Sequence, residues 1–125
     1  MKNILIPGIL FFFLLLTGCE KDYSTSKVVT IDFPVSFATN IQPIFTTDCA
    51  IPTCHVSGGA APDLSADKAY DELTGLGYVD TANAEGSILY VRITSTVRPM
   101  PPSEKLSAEE IGLVLAWIKQ GAQLN

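Results

Sequence analysis

Cys49, Cys54 and His55 are the residues whose types and spacing best suit chemistry, and they share one stretch, CAIPTCH. Four chemistries are open to them. Two thiols can add to the vinyl groups of a haem, with the imidazole directly after the second cysteine coordinating iron, although that motif normally has two residues between its cysteines. Vinyl separation fixes where the sulfurs sit, so a longer spacer has to bulge away from the ring. Pro52 favours such a turn over continued helix. A Cys49–Cys54 disulfide is the second option, in a chain where thiols do not stay free unless something holds them. Zinc would use both sulfurs and His55 but needs a fourth ligand, and no other histidine exists. A Cys-His nucleophile is the fourth, and nothing places a separate base or oxyanion hole beside it.

The N-terminus sets the compartment. After Met1-Lys2-Asn3, Ile4 to Leu16 is apolar apart from Pro7 and Gly8. About 13 apolar residues are short for a membrane span and suit the h-region of a secretory signal. The following Leu16-Thr17-Gly18-Cys19 resembles the lipobox of bacterial lipoproteins. That resemblance implies a signal peptide over 1–18 and a lipid-modified Cys19 that tethers an exported protein to a membrane, periplasmic or at the cell surface. Residues 19–35 read as the lipidated N-terminus and tether, whose flexible reach is about 20–25 Å. The domain then occupies 36–125.

With Cys19 committed to lipid, Cys49 and Cys54 are the remaining cysteines. From Cys19 onward, seven basic face 13 acidic side chains, a formal net charge of −6. No basic patch is available to neutralise phosphates, which argues against nucleic acid. The acidic balance suits a basic partner without identifying one.

The elements that must position the cysteines and histidine are mostly helical. Ser107-Ala108-Glu109-Glu110 is a capping box, and Ile111, Val114, Leu115 and Ile118 make one apolar face behind it, with Gly121 as the stop. Phe37 to Thr47 predicts a helix with Pro43 near its first turn or at a kink. Ala66 to Leu73 predicts a short helix. Ser87 to Thr94 fits a helix or a strand. Long Gly- and Pro-bearing loops at 56–63, 74–86 and 98–103 separate them. The expected class is all-α with a thin core that something else has to fill.

From about Ser36 onward the chain resembles a small single-haem cytochrome c domain, of the kind in bacterial lipoproteins and planctomycete-type cytochrome c modules. The stretches that carry the resemblance are Ile41-Gln42-Pro43-Ile44-Phe45, Cys54-His55, Ala61-Pro62-Asp63-Leu64, Arg98-Pro99-Met100-Pro101-Pro102, and the last helix with Trp117-Ile118 and Gly121-Ala122. The departure is the four-residue spacer. The resemblance implies long loops wrapped around one covalently bound haem c. His55 is the only histidine and Met100 the only methionine besides Met1, so elimination points to Met100 as the second axial ligand, with a lysine or open coordination as alternatives and core filler as the plain reading. The resemblance further implies that the Pro62 carbonyl accepts the other ring N–H of His55. Arg92 and Arg98 are the candidates for the haem propionates, against the plain reading of two solvated arginines. Trp117 reads as core, with a propionate contact as its alternative. Phe45, Leu64, Tyr90, Ile93, Leu106 and Leu115 read as pocket walls, a role that coincides with ordinary core.

A haem saturated by His and Met leaves no open site for oxygen or peroxide. The expected role is therefore single-electron transfer to and from redox partner proteins, with no enzymatic chemistry of its own. The alternatives are a haem-based sensor or structural module, and a haem-free interaction lipoprotein held by a Cys49–Cys54 disulfide.

Overall fold

The computed structural model describes residues 28–125. The expected 1–18 signal, the expected lipidation site at Cys19 and the first part of the expected tether lie outside the described residues. Those described are helical, 42% of them, with no strand among them, which fits an all-α class. Four α-helices follow one another: α1 (Gln42–Asp48), α2 (Ala69–Gly75), α3 (Ile88–Thr94) and α4 (Ala108–Lys119). A π-helical turn, Phe37–Ile41, runs into α1, and a 3-10 turn, Ala84–Gly86, precedes α3. No described helix is long and apolar enough to cross a membrane.

Helix α4 is the organising element, and local chemistry sets both of its ends. Ser107 Oγ accepts the Glu110 N–H, and Glu110 Oε2 accepts the Ser107 N–H at 2.7 Å, completing the capping box. At the other end Ala122 N–H reaches Trp117 O at 2.9 Å and Gly121 N–H reaches Ile118 O at 3.0 Å. That pair of bonds is the Schellman arrangement, which requires the left-handed φ of +96° that Gly121 adopts. Between the caps, Ile111, Val114, Trp117 and Ile118 point into the core.

Phe37, Phe45, Tyr70 and Trp117 form one aromatic cluster, with ring centroids 5.2 Å apart for Phe37–Trp117 and 5.4 Å for Phe37–Tyr70. This cluster joins the π turn, α1, α2 and α4, each ring pair adding about 1 kcal/mol beyond its burial. The indole N–H of Trp117 donates to Gln123 O at 2.9 Å, so the indole is a core group with its polar end already used. Asn125 completes the closure: its backbone oxygen accepts from Ala38 N–H and Ser36 Oγ, and its side-chain oxygen accepts from Phe37 N–H. The last residue of the chain thus caps the first helical turn.

Three elements differ from the sequence reading. The Phe37–Thr47 helix splits at Ile41 into a π turn and α1, with Pro43 in the first turn of α1, where its missing N–H costs nothing. α2 begins at Ala69 instead of Ala66, because the Asp63 carboxylate captures the N–H and hydroxyl of Ser65 and the ammonium of Lys68 in a preceding turn. The ambiguous 88–94 stretch is helix: Leu89 and Ile93, four apart, are buried together, while Ile88 and Val91 face solvent.

Residues 28–35, read as tether, lie against α4. Gln120 grips this strap twice, accepting from Val35 N–H at 2.8 Å and donating to Phe33 O at 2.9 Å. Gly112 admits it: a Cβ there would stand 2.3 Å from Val29 O. The folded unit therefore includes these eight residues, because Val35 is buried and Gly112 lets backbone meet backbone.

Candidate functional site: the Cys49–Leu64 loop

The C-terminus of α1 leads directly into the loop, with Cys49 at the cap position donating to Phe45 O at 3.0 Å. Ala50 still packs against the core, and the spacer residues after it, Ile51 to Thr53, leave the body of the protein. Cys54 N–H bonds back to Ile51 O at 3.0 Å, and His55 N–H bonds to Cys49 O at 3.1 Å, closing the base of the excursion. Thr53 makes the reversal with a left-handed φ of +70°, and Ile51, Pro52 and Thr53 are all exposed. The long spacer is thus a solvent-facing bulge, and its closure returns the backbone at His55 to that at Cys49. Cys49 and Cys54 are both free thiols and half-buried.

A second set of bonds holds the far side of the loop. Ala60 N–H donates to Cys54 O and Leu64 N–H donates to His55 O, both at 2.8 Å. Gly59 is required where the strands of the loop cross, since a Cβ there would lie 2.0 Å from Cys54 O. His55 Nδ1 lies 2.9 Å from the Pro62 carbonyl oxygen. A carbonyl only accepts, so Nδ1 carries the proton. In the neutral ring that leaves the Nε2 lone pair available to a ligand-seeking cation.

Segment 62–64 is braced both by Ser57 of the loop itself and from outside the loop, a feature the sequence reading missed. Asp63, only 8% exposed, accepts from Ser57 Oγ at 2.7 Å and from Ser65 N–H at 3.0 Å, and from the Ser65 hydroxyl. Lys68 Nζ stands 3.4 Å from the same carboxylate and 2.8 Å from Ser57 Oγ. The hydroxyl of Ser65 first, then that of Ser57, the Ser65 N–H and Lys68 hold the Asp63 carboxyl well below the usual carboxylate range. From α1, Gln42 Nε2 donates to Leu64 O at 3.1 Å. The available signal was the Asp63-x-Ser65 spacing, a turn in which a carboxylate accepts the N–H two residues on.

Acidic groups flank the cysteine side. Burial, reinforced by Asp48, Glu110 and Cys54, pushes the Cys49 thiol up to about 12, so it stays protonated at neutral pH. Burial, then Glu110 and Glu104, also raises Asp48.

The other predicted site residues lie elsewhere. Met100 is half-buried in the Pro-rich loop after α3, and its N–H donates to Arg92 O at 3.1 Å. Arg92 contributes that carbonyl; Arg98 is exposed, its N–H accepted by Ser95 Oγ at 3.0 Å. Neither guanidinium joins a salt bridge among the described residues. The expected walls Phe45, Leu64, Ile93 and Leu106 are buried within the protein's own core, with Tyr90 and Leu115 packed partly against it. Two surface hollows, of about 350 and 260 Å³, are lined by the 28–31 strap with α4 and by the 56–61 loop with Lys68 and Glu72; neither includes His55 or Met100. No group of three or more His, Cys, Asp or Glu side chains gathers among the described residues. Comparison with protein-family models, curated proteins and solved structures finds no match.

Proposed function

We propose that this chain is a membrane-tethered c-type cytochrome, a cytochrome c-like domain whose loops wrap one haem c and which passes single electrons between redox partner proteins. The observation that carries the reading is His55. Its Nδ1 proton is committed to the Pro62 carbonyl and its Nε2 meets no hydrogen-bond partner among the described residues, on a loop that also carries two free thiols. That donor set is the one a covalently held haem needs: two thiols for the vinyl groups and one oriented imidazole for the iron.

When bound, haem supplies an iron that cycles between Fe(III) and Fe(II). The chain does the rest. Cys49 and Cys54 hold the group through thioethers, and the Ile51–Thr53 bulge absorbs the extra spacer length. Pro62 fixes the ring orientation and basicity of His55. Met100, in a loop stiffened by Pro99, Pro101 and Pro102, supplies a soft sulfur that favours the ferrous state. Arg92 and Arg98, with no salt-bridge partner among the described residues, are the cations available to the propionates. Lipid at Cys19 would anchor the exported domain, and the acidic groups near Cys49, which join no salt bridge among the described residues, suit a basic partner.

The test is a redox titration of the purified protein with carbon monoxide added to the reduced form. The reading predicts one reversible one-electron wave and no carbon monoxide adduct. Ready adduct formation would replace the electron carrier with a haem-based sensor.

A further inference from the structure

The Pro62–Asp63 peptide group is held at both of its polar atoms. Its carbonyl oxygen faces His55 Nδ1 at 2.9 Å, and its N–H, which belongs to Asp63, donates to Glu72 Oε2 at 2.7 Å. These two atoms belong to one planar, resonance-coupled unit and point in opposite directions. We infer that Glu72 is a positioning residue for His55, acting through the Pro62–Asp63 peptide as a carboxylate–peptide–imidazole relay that sets the orientation and basicity of the histidine ligand.

Two physical effects lie behind this. A carboxylate accepting the peptide N–H draws electron density toward the carbonyl oxygen, and hydrogen bonds in series strengthen one another. The stronger acceptor pulls on the Nδ1 proton and makes Nε2 a better donor, as a second-sphere carboxylate does when it contacts a metal-bound histidine directly. Rotation of the plane is also blocked, because Asp63 is pinned by Ser57, Ser65 and Lys68, and Leu64 by Gln42 and the His55 backbone. Glu72 sits in α2, itself anchored by buried Ala69 and Leu73, so the relay connects the ligand loop to a fixed element.

The inference rests on the haem reading for its redox consequence and on the hydrogen-bond geometry for the rest, so its test has two readouts. Parent protein, Glu72→Gln, Glu72→Asp and Asp71→Asn are compared in the reduced state. The exchange rate of the His55 Nδ1 proton is measured by NMR, and the reduction potential by titration. Glu72→Gln keeps the shape and removes the charge. Glu72→Asp keeps the charge and withdraws the acceptor by one methylene. Asp71→Asn removes an exposed charge one residue away on the same helix.

Both Glu72 variants should speed Nδ1 proton exchange and lower the ferric-to-ferrous ratio at a fixed applied potential by about 3–10-fold, below the tenfold or more typical of a direct partner. Asp71→Asn should leave the proton exchange unchanged. Equal exchange in parent and Glu72 variants would overturn the relay, as would an Asp71→Asn shift as large as that of Glu72→Gln. A parent protein that carries no haem would overturn the electron-transfer reading instead. The relay would then stand or fall on the imidazole proton alone.

Discussion

Between Cys49 and Leu64 the chain has neither helix nor strand, yet almost every turn of it is tied: to itself through Cys49, Cys54 and His55, to α1 through Gln42, and to α2 through Glu72. Between Ser95 and Ser103 the chain is equally irregular, but its ties are the Arg92 carbonyl, which accepts from Ser95 and Met100, and the Ser95 hydroxyl, which accepts from Arg98. The first loop is fixed by polar bonds and the second by proline stiffness. On the proposed reading, in which each loop supplies one iron ligand, that contrast assigns different duties. An imidazole must be held in both angle and tautomer, whereas a thioether needs only to be kept near.

The contrast predicts unequal costs of disturbance. Gly59→Ala should be the most damaging, because the added carbon lands 2.0 Å from Cys54 O and forces the His55 loop to move. A loss of about 3 kcal/mol in urea unfolding is expected. Pro102→Ala, in the other loop, should cost less than about 1 kcal/mol through chain entropy alone. Similar losses for the two would end the comparison.

Met100→Leu comes next. The volume is nearly conserved, so stability should fall by less than about 1.5 kcal/mol. The haem should stay attached, the reduced protein should now take up carbon monoxide, and the reduction potential should drop. An unchanged potential would remove Met100 from the ligand set.

The brace at Asp63 should show itself in acid. Its folded-state pKa lies below the unfolded value, so its contribution is complete above pH about 4 and is lost as pH falls through the depressed folded value. The stability gap between parent and Asp63→Asn, measured by urea unfolding, should therefore be wider at pH 7 than at pH 3. Asp48, whose carboxyl is raised, works with the opposite sign in both proteins and so leaves the gap between them unchanged. A gap independent of pH would mean that the carboxylate is not what the network holds.

The smallest effect is kinetic. Before thioether formation, Cys49 should react sluggishly with iodoacetamide at pH 8, its thiol being pushed up to about 12. Asp48→Asn combined with Glu110→Gln should quicken the reaction modestly, since burial is the larger cause. Full reactivity in the parent would contradict the buried placement of Cys49.

Legibility in the sequence followed the range of the interaction. The α4 boundaries were readable because Ser107, Glu110 and Gly121 act within a few residues of themselves. The His55–Pro62 pairing was reachable only through resemblance, since nothing local distinguishes one carbonyl from its neighbours. The Glu72 contact, nine residues from Asp63, and the Gln120 clasp on Phe33 and Val35, more than 80 residues away, depend on how helices pack, and no spacing rule announces them. The packing of residues 28–35 against α4 was not legible for that reason: nothing in that stretch announces that Gly112 admits the Val29 backbone.

The central claim is one haem held by both cysteines of CAIPTCH. It is tested most directly by the absorption spectrum of the purified protein as its pyridine haemochrome. One haem per chain, with the band position of a doubly thioether-linked group, is expected despite the four-residue spacer. Absence of a haem band would contradict it outright.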